Sequence, residues 1–127
     1  MMSCVRVCLF AAVFSGPALF AADWTEFRGP TQQGLSTETG LPLTWSESEH
    51  IAWKTDIAGL GWSSPSIVDS QIWLTTALDD GHSLRALRLN LATGRIERDV
   101  EVFALDDPGP VHRKNSPASP TPVIARD

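Results

Sequence analysis

The chain has 127 residues, of which 43% are hydrophobic and 20% charged, and its formal net charge is −5 at pH 7. This length suffices for one modest domain. The acidic balance argues against nucleic acid as a partner, because phosphate binding needs a basic face.

Residues 1–22 have the pattern of a secretory signal peptide. One base, Arg6, precedes the apolar run 7–14, and small residues then lead to the first acid, Asp23. The run is shorter than the about 20 apolar residues that span a bilayer. We therefore expect an exported protein, periplasmic or secreted, that meets the membrane only transiently through this segment. A buried or membrane-anchoring helix is the alternative.

Both cysteines, Cys4 and Cys8, lie within the predicted signal peptide. Its removal leaves nine bases against fifteen acids, a net charge of −6. The exported part then has no thiol for a disulfide, a thiolate metal site or a cysteine nucleophile. It is predicted to be held together by packing alone.

Residues 23–50 are rich in Gly, Pro, Thr and Ser and show neither a helical nor a strand period. We expect an ordered extended segment, which Trp24, Phe27 and Trp45 pin to a larger body. The alternative is a flexible linker, although linkers seldom carry such large aromatic side chains.

From Ile51 onward the hydrophobic pattern has a period of two, which predicts β-strands joined by short turns. The predicted strands are 51–57, 63–68, 71–77, 84–91 and 95–103. No amphipathic helix is predicted after residue 22. The fold class is therefore all-β, an antiparallel meander followed by a long loop and the start of a further strand.

The last complete strand, 95–103, is predicted to lie at an outer edge. Ile96, Val100 and Val102 fall on one face of the alternating pattern, and its acids fall on the other. These acids are Glu97, Asp99 and Glu101. A charged face of this kind discourages pairing with a further strand.

A weak internal repeat relates two segments that contain proline. Residues 63–68, SSPSIV, match residues 118–123, ASPTPV, and the spacing from Pro65 to Pro120 is 55. Trp53 and Arg98 occupy equivalent places before the two copies, 45 residues apart. Periods of about 40 to 50 residues with four strands per unit are typical of propeller blades.

These residues resemble one repeat of the PQQ-like (pyrroloquinoline-quinone-like) β-propellers, in particular exported members from planctomycete-type bacteria. The resemblance covers residues 23–127 and implies that 51–127 are a partial propeller, with one blade at about 63–103 and flanking strands. The structural motif positions are Trp53, Trp62, Ser64, Pro65, Trp73, Ala86, Leu87, Gly94 and Pro120. Two positions depart from the family pattern: Asn90 stands near the usual acid, and Arg98 stands where a tryptophan docks on the next blade.

Loops that a meander places at one edge supply a candidate binding face, because loops on a rigid scaffold often carry function. The connection between the third and fourth predicted strands (71–77 and 84–91) should share this edge with the loop that follows residue 103. The candidate residues are Asp79, Asp80, His82, Asp106, Asp107, His112, Arg113, Lys114 and Asn115. A solvated insertion, the commoner origin of a charged loop, is the alternative.

Signatures of an enzyme are sparse. His50, His82 and His112 have no companion at metal-ligand spacing, and no nucleophile elbow or P-loop is present. We therefore assign no catalytic, cofactor-binding or metal-binding residue and expect a non-catalytic protein-interaction or scaffold module. Its partners would be the remaining propeller blades or another exported protein. The alternatives are a remnant of a quinoprotein dehydrogenase, for which the resemblance implies PQQ with calcium, and a truncated reading frame with no independent function.

Overall fold

A computed structural model, which describes residues 23–125, contains one antiparallel sheet of four strands. The strands are β1 (Ser66–Val68), β2 (Gln71–Leu78), β3 (Ser83–Asn90) and β4 (Ile96–Ala104), in the spatial order β1-β2-β3-β4. The predicted all-β class and the meander are confirmed. That the sheet is a propeller blade stays a prediction, and the predicted signal peptide lies outside the described residues.

Tight turns join the strands where the sequence predicts them. Asp69 and Ser70 both have positive φ, 50° and 62°, as two-residue hairpin turns require. A short 3₁₀ turn, Asp79–Gly81, joins β2 to β3. After β3, the Asn90 side-chain oxygen accepts hydrogen bonds from the backbone N–H groups of the next turn, at 3.0 and 3.1 Å. The Asn90 amide thus organises this turn.

The two faces of the sheet differ in what covers them. We call the side that carries Ile72, Leu87 and Leu89 the core face, and the side that carries Trp73 and Ala86 the open face. Side chains that are direct cross-strand partners share a face, and successive residues alternate.

The alternation predicted for β4 is wrong, because the register against β3 shifts twice along the strand. Ile96 lies opposite Leu89, whereas Val100 lies opposite Ala86. These partners are on different faces of β3, so Ile96 is on the core face and Val100 on the open face. A bulge inserts one extra residue into a strand, so the side chains beyond it change faces. The alternating sequence of β4 does not reveal where such a residue is inserted.

Residues 51–58 cross the core face and do not form the predicted strand 51–57. Trp53 and Ile57 pack against the buried cluster of Ile72, Leu87 and Leu89. Burial still alternates in this segment, with Trp53 half-buried and Lys54 exposed. The segment is therefore extended and buried on one side, but it pairs with no neighbouring strand.

Residues 116–124 lie on the open face over β1 and β2, and the further strand predicted there is not formed. The Ser66 hydroxyl, which is fully buried, donates to the Pro122 carbonyl at 2.5 Å. The Thr75 hydroxyl donates to the Pro120 carbonyl at 3.1 Å. Side-chain hydrogen bonds thus hold this segment where no β-ladder forms, and Val100 and Phe103 of β4 stay exposed on the same face.

The N-terminal segment contacts the sheet through its first residues, beside β1. Trp24 and Ile67 exchange two backbone hydrogen bonds of 2.7 Å at the outer edge of β1. Phe27 and Trp45, which were expected to anchor the segment as well, are 56% and 69% exposed. Residues 30–52 are exposed throughout, so Trp45 does not anchor this part of the segment.

Candidate functional site

The loop between β2 and β3 lies beside the passage that follows β4. The His82 carbonyl accepts a hydrogen bond from the Leu105 N–H at 2.7 Å, and His82 Nδ1 donates to the Leu105 carbonyl at 2.8 Å. Gly81 has φ of 103°, and a Cβ there would lie 3.2 Å from Pro117 and 3.3 Å from Pro108. The loop edge, as we call residues 79–82 and 105–117, is therefore closely packed at its base.

The candidate side chains of the loop edge are all exposed. Asp107 accepts a hydrogen bond from the Gly109 N–H at 2.9 Å, and His112 Nδ1 accepts one from the Lys114 N–H at 3.2 Å. Asn115 accepts a hydrogen bond from the Ser119 hydroxyl. These bonds shape the loop itself. The charged groups of Asp79, Asp80, Asp106, Arg113 and Lys114 extend from this scaffold into solvent.

A shallow cleft lies between the two parts of the loop edge. Its lining mixes apolar side chains, including Leu84, Leu105 and Val111, with the polar side chains of His112 and Asn115. Such a mixed surface can contact a partner through both apolar packing and hydrogen bonds. The binding role of these residues stays a prediction.

Trp53 and Gly94 form the most closely packed pair among the motif positions. Gly94 is buried with φ of 68°, and a Cβ at this position would collide with the Trp53 ring. Trp53 Nε1 donates to the Leu91 carbonyl at 2.9 Å, and the Thr55 hydroxyl donates to the Gly94 carbonyl at 2.6 Å. The segment that crosses the core face is therefore fastened to the β3–β4 turn.

The two copies of the internal repeat lie side by side. The Trp62 N–H donates to the Ala118 carbonyl at 3.2 Å, and the Ser64 N–H donates to the Thr121 hydroxyl at 3.0 Å. The Trp62 ring is 61% exposed, and Pro65 is also exposed. Ser64 thus makes its contact to the second copy through its backbone N–H.

The remaining motif positions lie in the sheet and its cover. Leu87 is 2% exposed in the core, and Ala86 lies between Thr75 and Val100 on the open face. Pro120 accepts the Thr75 hydrogen bond described above.

Sequence reasoning missed a cationic cluster on the open face. Arg88 lies directly opposite Arg98, and Trp73 is the partner of Arg88 on β2. Arg98 was singled out only as a departure from a family pattern. If β3 is paired with β4 across the turn at residues 91–95, the sequence alone predicts that Arg88 lies opposite Arg98.

Within residues 23–125, no three His, Cys, Asp or Glu side chains come together as a metal ion requires, and we assign no residue there to calcium or PQQ. In the same range, no helix has the length and apolar character needed to cross a bilayer. No family model, curated protein or solved structure matches this chain. The propeller family therefore remains a prediction from the sequence.

Proposed function

We propose that the chain is an exported, non-catalytic unit of a PQQ-like β-propeller, which serves as a protein-interaction or scaffold module when neighbouring units complete it. The contact between the two repeat copies supports this proposal. Consecutive repeats of a ring or an array contact their neighbours, and here residues 62–66 touch residues 118–122.

The loop edge carries the interaction part of the proposal. It combines a base fixed by the His82–Leu105 hydrogen bonds with exposed side chains of both charge signs and a cleft lined by apolar and polar groups. A preorganised surface loses little conformational entropy when it binds. The opposite edge is smaller, because a two-residue turn and residues 91–95 form it, joined by a hydrogen bond of 3.0 Å from the Leu91 N–H to the Ser70 carbonyl.

The test is a triple alanine variant, His112→Ala, Lys114→Ala and Asn115→Ala, made in the full-length exported protein. Partners are captured by cross-linking in the compartment to which the protein is exported, and they are quantified by mass spectrometry. We expect loss of the partners that cross-link to the wild-type loop edge, because both the rim charge and the loop geometry change.

Arg95→Ala at the opposite edge is the matched control, since it removes an exposed charge far along the strands from the loop edge. It should leave the cross-linked partners unchanged. Capture that is unaltered in the triple variant would overturn the proposal that the loop edge binds.

A further inference from the structure

The loop edge contains the only two basic residues that are adjacent in the sequence, Arg113 and Lys114. They form the centre of a turn, which is closed by a hydrogen bond of 2.8 Å from the Asn115 N–H to the His112 carbonyl. Residues 109–115 are exposed without interruption, so the chain is accessible on both sides of this basic turn. Exposed loop tips are the sites at which proteases most readily cut a folded protein.

Few interactions have to break before the basic turn can enter the active site of a protease. A protease acts on a locally opened chain, so the hydrogen bonds around the cut must be lost first. Besides the bond that closes the turn, the Lys114 N–H donates to His112 Nδ1 at 3.2 Å, and the Asn115 side chain accepts a bond from the Ser119 hydroxyl. Residues 105–115 belong to no strand of the sheet, so opening the turn breaks no ladder hydrogen bond.

The other basic residues of the range 23–125 are held more firmly, through their backbone or their neighbours. Arg95 and Arg28 accept backbone hydrogen bonds of 3.0 and 2.9 Å at their carbonyls. Lys54 lies between two half-buried residues of the segment that crosses the core face. The remaining three lie in paired strands: Arg85, Arg88 and Arg98. The basic turn is therefore the site within this range that a protease specific for basic residues reaches most easily.

We propose that an exported protease that cleaves after basic residues processes the chain at the basic turn, and that the cut ends binding at the loop edge. Hydrolysis breaks the C–N bond after Arg113 or Lys114. Water supplies a hydroxyl group to the carbonyl carbon and a proton to the nitrogen, so a new carboxylate and a new amino group appear at the loop edge. The inference rests on the proposed function in one respect, that the loop edge binds a protein.

The cut should leave the two parts of the chain together, because both sides of the basic turn are anchored to the fold. Before the turn, the Leu105 N–H donates to the His82 carbonyl at 2.7 Å. After the turn, the Pro122 carbonyl accepts a hydrogen bond of 2.5 Å from the buried Ser66 hydroxyl. The cut protein is therefore expected to keep its fold and to lose only the geometry of the loop.

Limited digestion of the full-length protein with trypsin tests whether the basic turn is the accessible site. Within residues 23–125, mass spectrometry should locate the first cut after Arg113 or Lys114, and the two parts should co-elute in gel filtration. The double variant Arg113→Gln, Lys114→Gln should slow this cut by about a hundredfold or more, because the charge in the specificity pocket of trypsin is left unpaired.

Two further variants separate the sequence of the turn from its structure. His112→Ala should quicken the cut severalfold, since it removes the acceptor of the Lys114 N–H and makes the turn easier to open. Arg95→Gln is the matched control, because it removes an exposed basic side chain from the opposite edge and should leave the rate unchanged.

Processing itself is measured on protein recovered from the compartment to which it is exported. Labelling of free amino groups followed by mass spectrometry should find new N-termini at Lys114 or Asn115 in the wild type and none in the double glutamine variant. Intact and trypsin-cut proteins are then each cross-linked in an extract of this compartment. The cut protein should lose the partners that the intact loop edge captures.

The proposal is wrong if trypsin first cuts residues 23–125 at another basic residue, or if the recovered wild-type protein has no N-terminus at Lys114 or Asn115. Equal capture of partners by the cut and the intact protein would also contradict it. The digestion requires no partner, and the triple alanine variant requires no protease. Failure of the processing site is therefore distinguished from failure of the proposed function, which appears as unaltered capture in the triple variant.

Discussion

The core face and the open face of this sheet are built from the same four strands but are completed in different ways. On the core face, one continuous segment, residues 51–58, covers a buried aliphatic cluster and is fastened through Trp53. On the open face, residues 116–124 cover β1 and β2 through hydroxyl hydrogen bonds, while Val100 and Phe103 stay exposed. Stability should therefore reside mainly in the core face, whereas the open face is less completely covered within residues 23–125.

The largest expected effect comes from truncating the core face. Leu87→Ala should lower the free energy of unfolding by about 3 kcal/mol, because Leu87 is 2% exposed and its removal leaves a cavity. Val100→Ala on the open face should cost less than about 1 kcal/mol, since this side chain is half exposed. Urea unfolding of the full-length protein, followed by tryptophan fluorescence, measures both. Equal losses would contradict the assignment of stability to the core face.

The strands themselves were largely predictable from the sequence. β2, β3 and β4 begin and end within a residue of the predicted 71–77, 84–91 and 95–103, because hydrophobic alternation and turn chemistry are local properties. Residues 51–57 show the limit of this reasoning. A hydrophobic period of two indicates an extended backbone that is buried on one side. It does not indicate whether the backbone N–H and C=O groups pair with another strand.

The candidate sites were less predictable than the strands. The loop edge follows from meander topology, because alternate connections lie at the same end of a sheet. Pairing β3 with β4 across residues 91–95 places Arg88 opposite Arg98, but the sequence does not reveal the register shift between Arg88 and Leu89 that lies between this pair and the turn. The exposure of Trp45 was also not predicted. A large aromatic side chain suggests burial, but the sequence does not show whether an apolar surface lies near it in the fold.

The second expected effect tests how much residues 51–58, which cover the core face, contribute to stability. Trp53→Ala should cost about 2 kcal/mol, less than a fully buried tryptophan, because Trp53 is half-buried and covers Gly94 and the core cluster. Trp45→Ala is the matched control, since the same truncation at a residue that is 69% exposed should change stability by less than about 0.5 kcal/mol. The same urea titration separates them. A Trp45 effect as large as that of Trp53 would mean that residues 30–50 pack on the sheet after all.

The smallest expected effect concerns residues 116–124, which cover part of the open face, and their contribution to stability. Ser66→Ala removes the fully buried hydroxyl that donates to Pro122 and leaves the Pro122 carbonyl without this donor, which should cost about 1 kcal/mol. Ser64→Ala is the control in the same segment, because the Ser64 hydrogen bond to Thr121 comes from its backbone N–H and survives the substitution.

Amide hydrogen exchange shows which part of the molecule opens, which the free energy of unfolding alone does not. In Ser66→Ala, exchange should quicken at the Ile124 N–H, which donates to the Thr25 carbonyl at 3.0 Å, and should be unchanged at the Leu60 N–H, which donates to Ala77 at 2.9 Å. Faster exchange at both would show that residues 116–124 and the Leu60–Ala77 bridge at the edge of β2 open together. Faster exchange at Ile124 alone would establish that residues 116–124 detach independently, which would enlarge the surface that the open face offers to a partner.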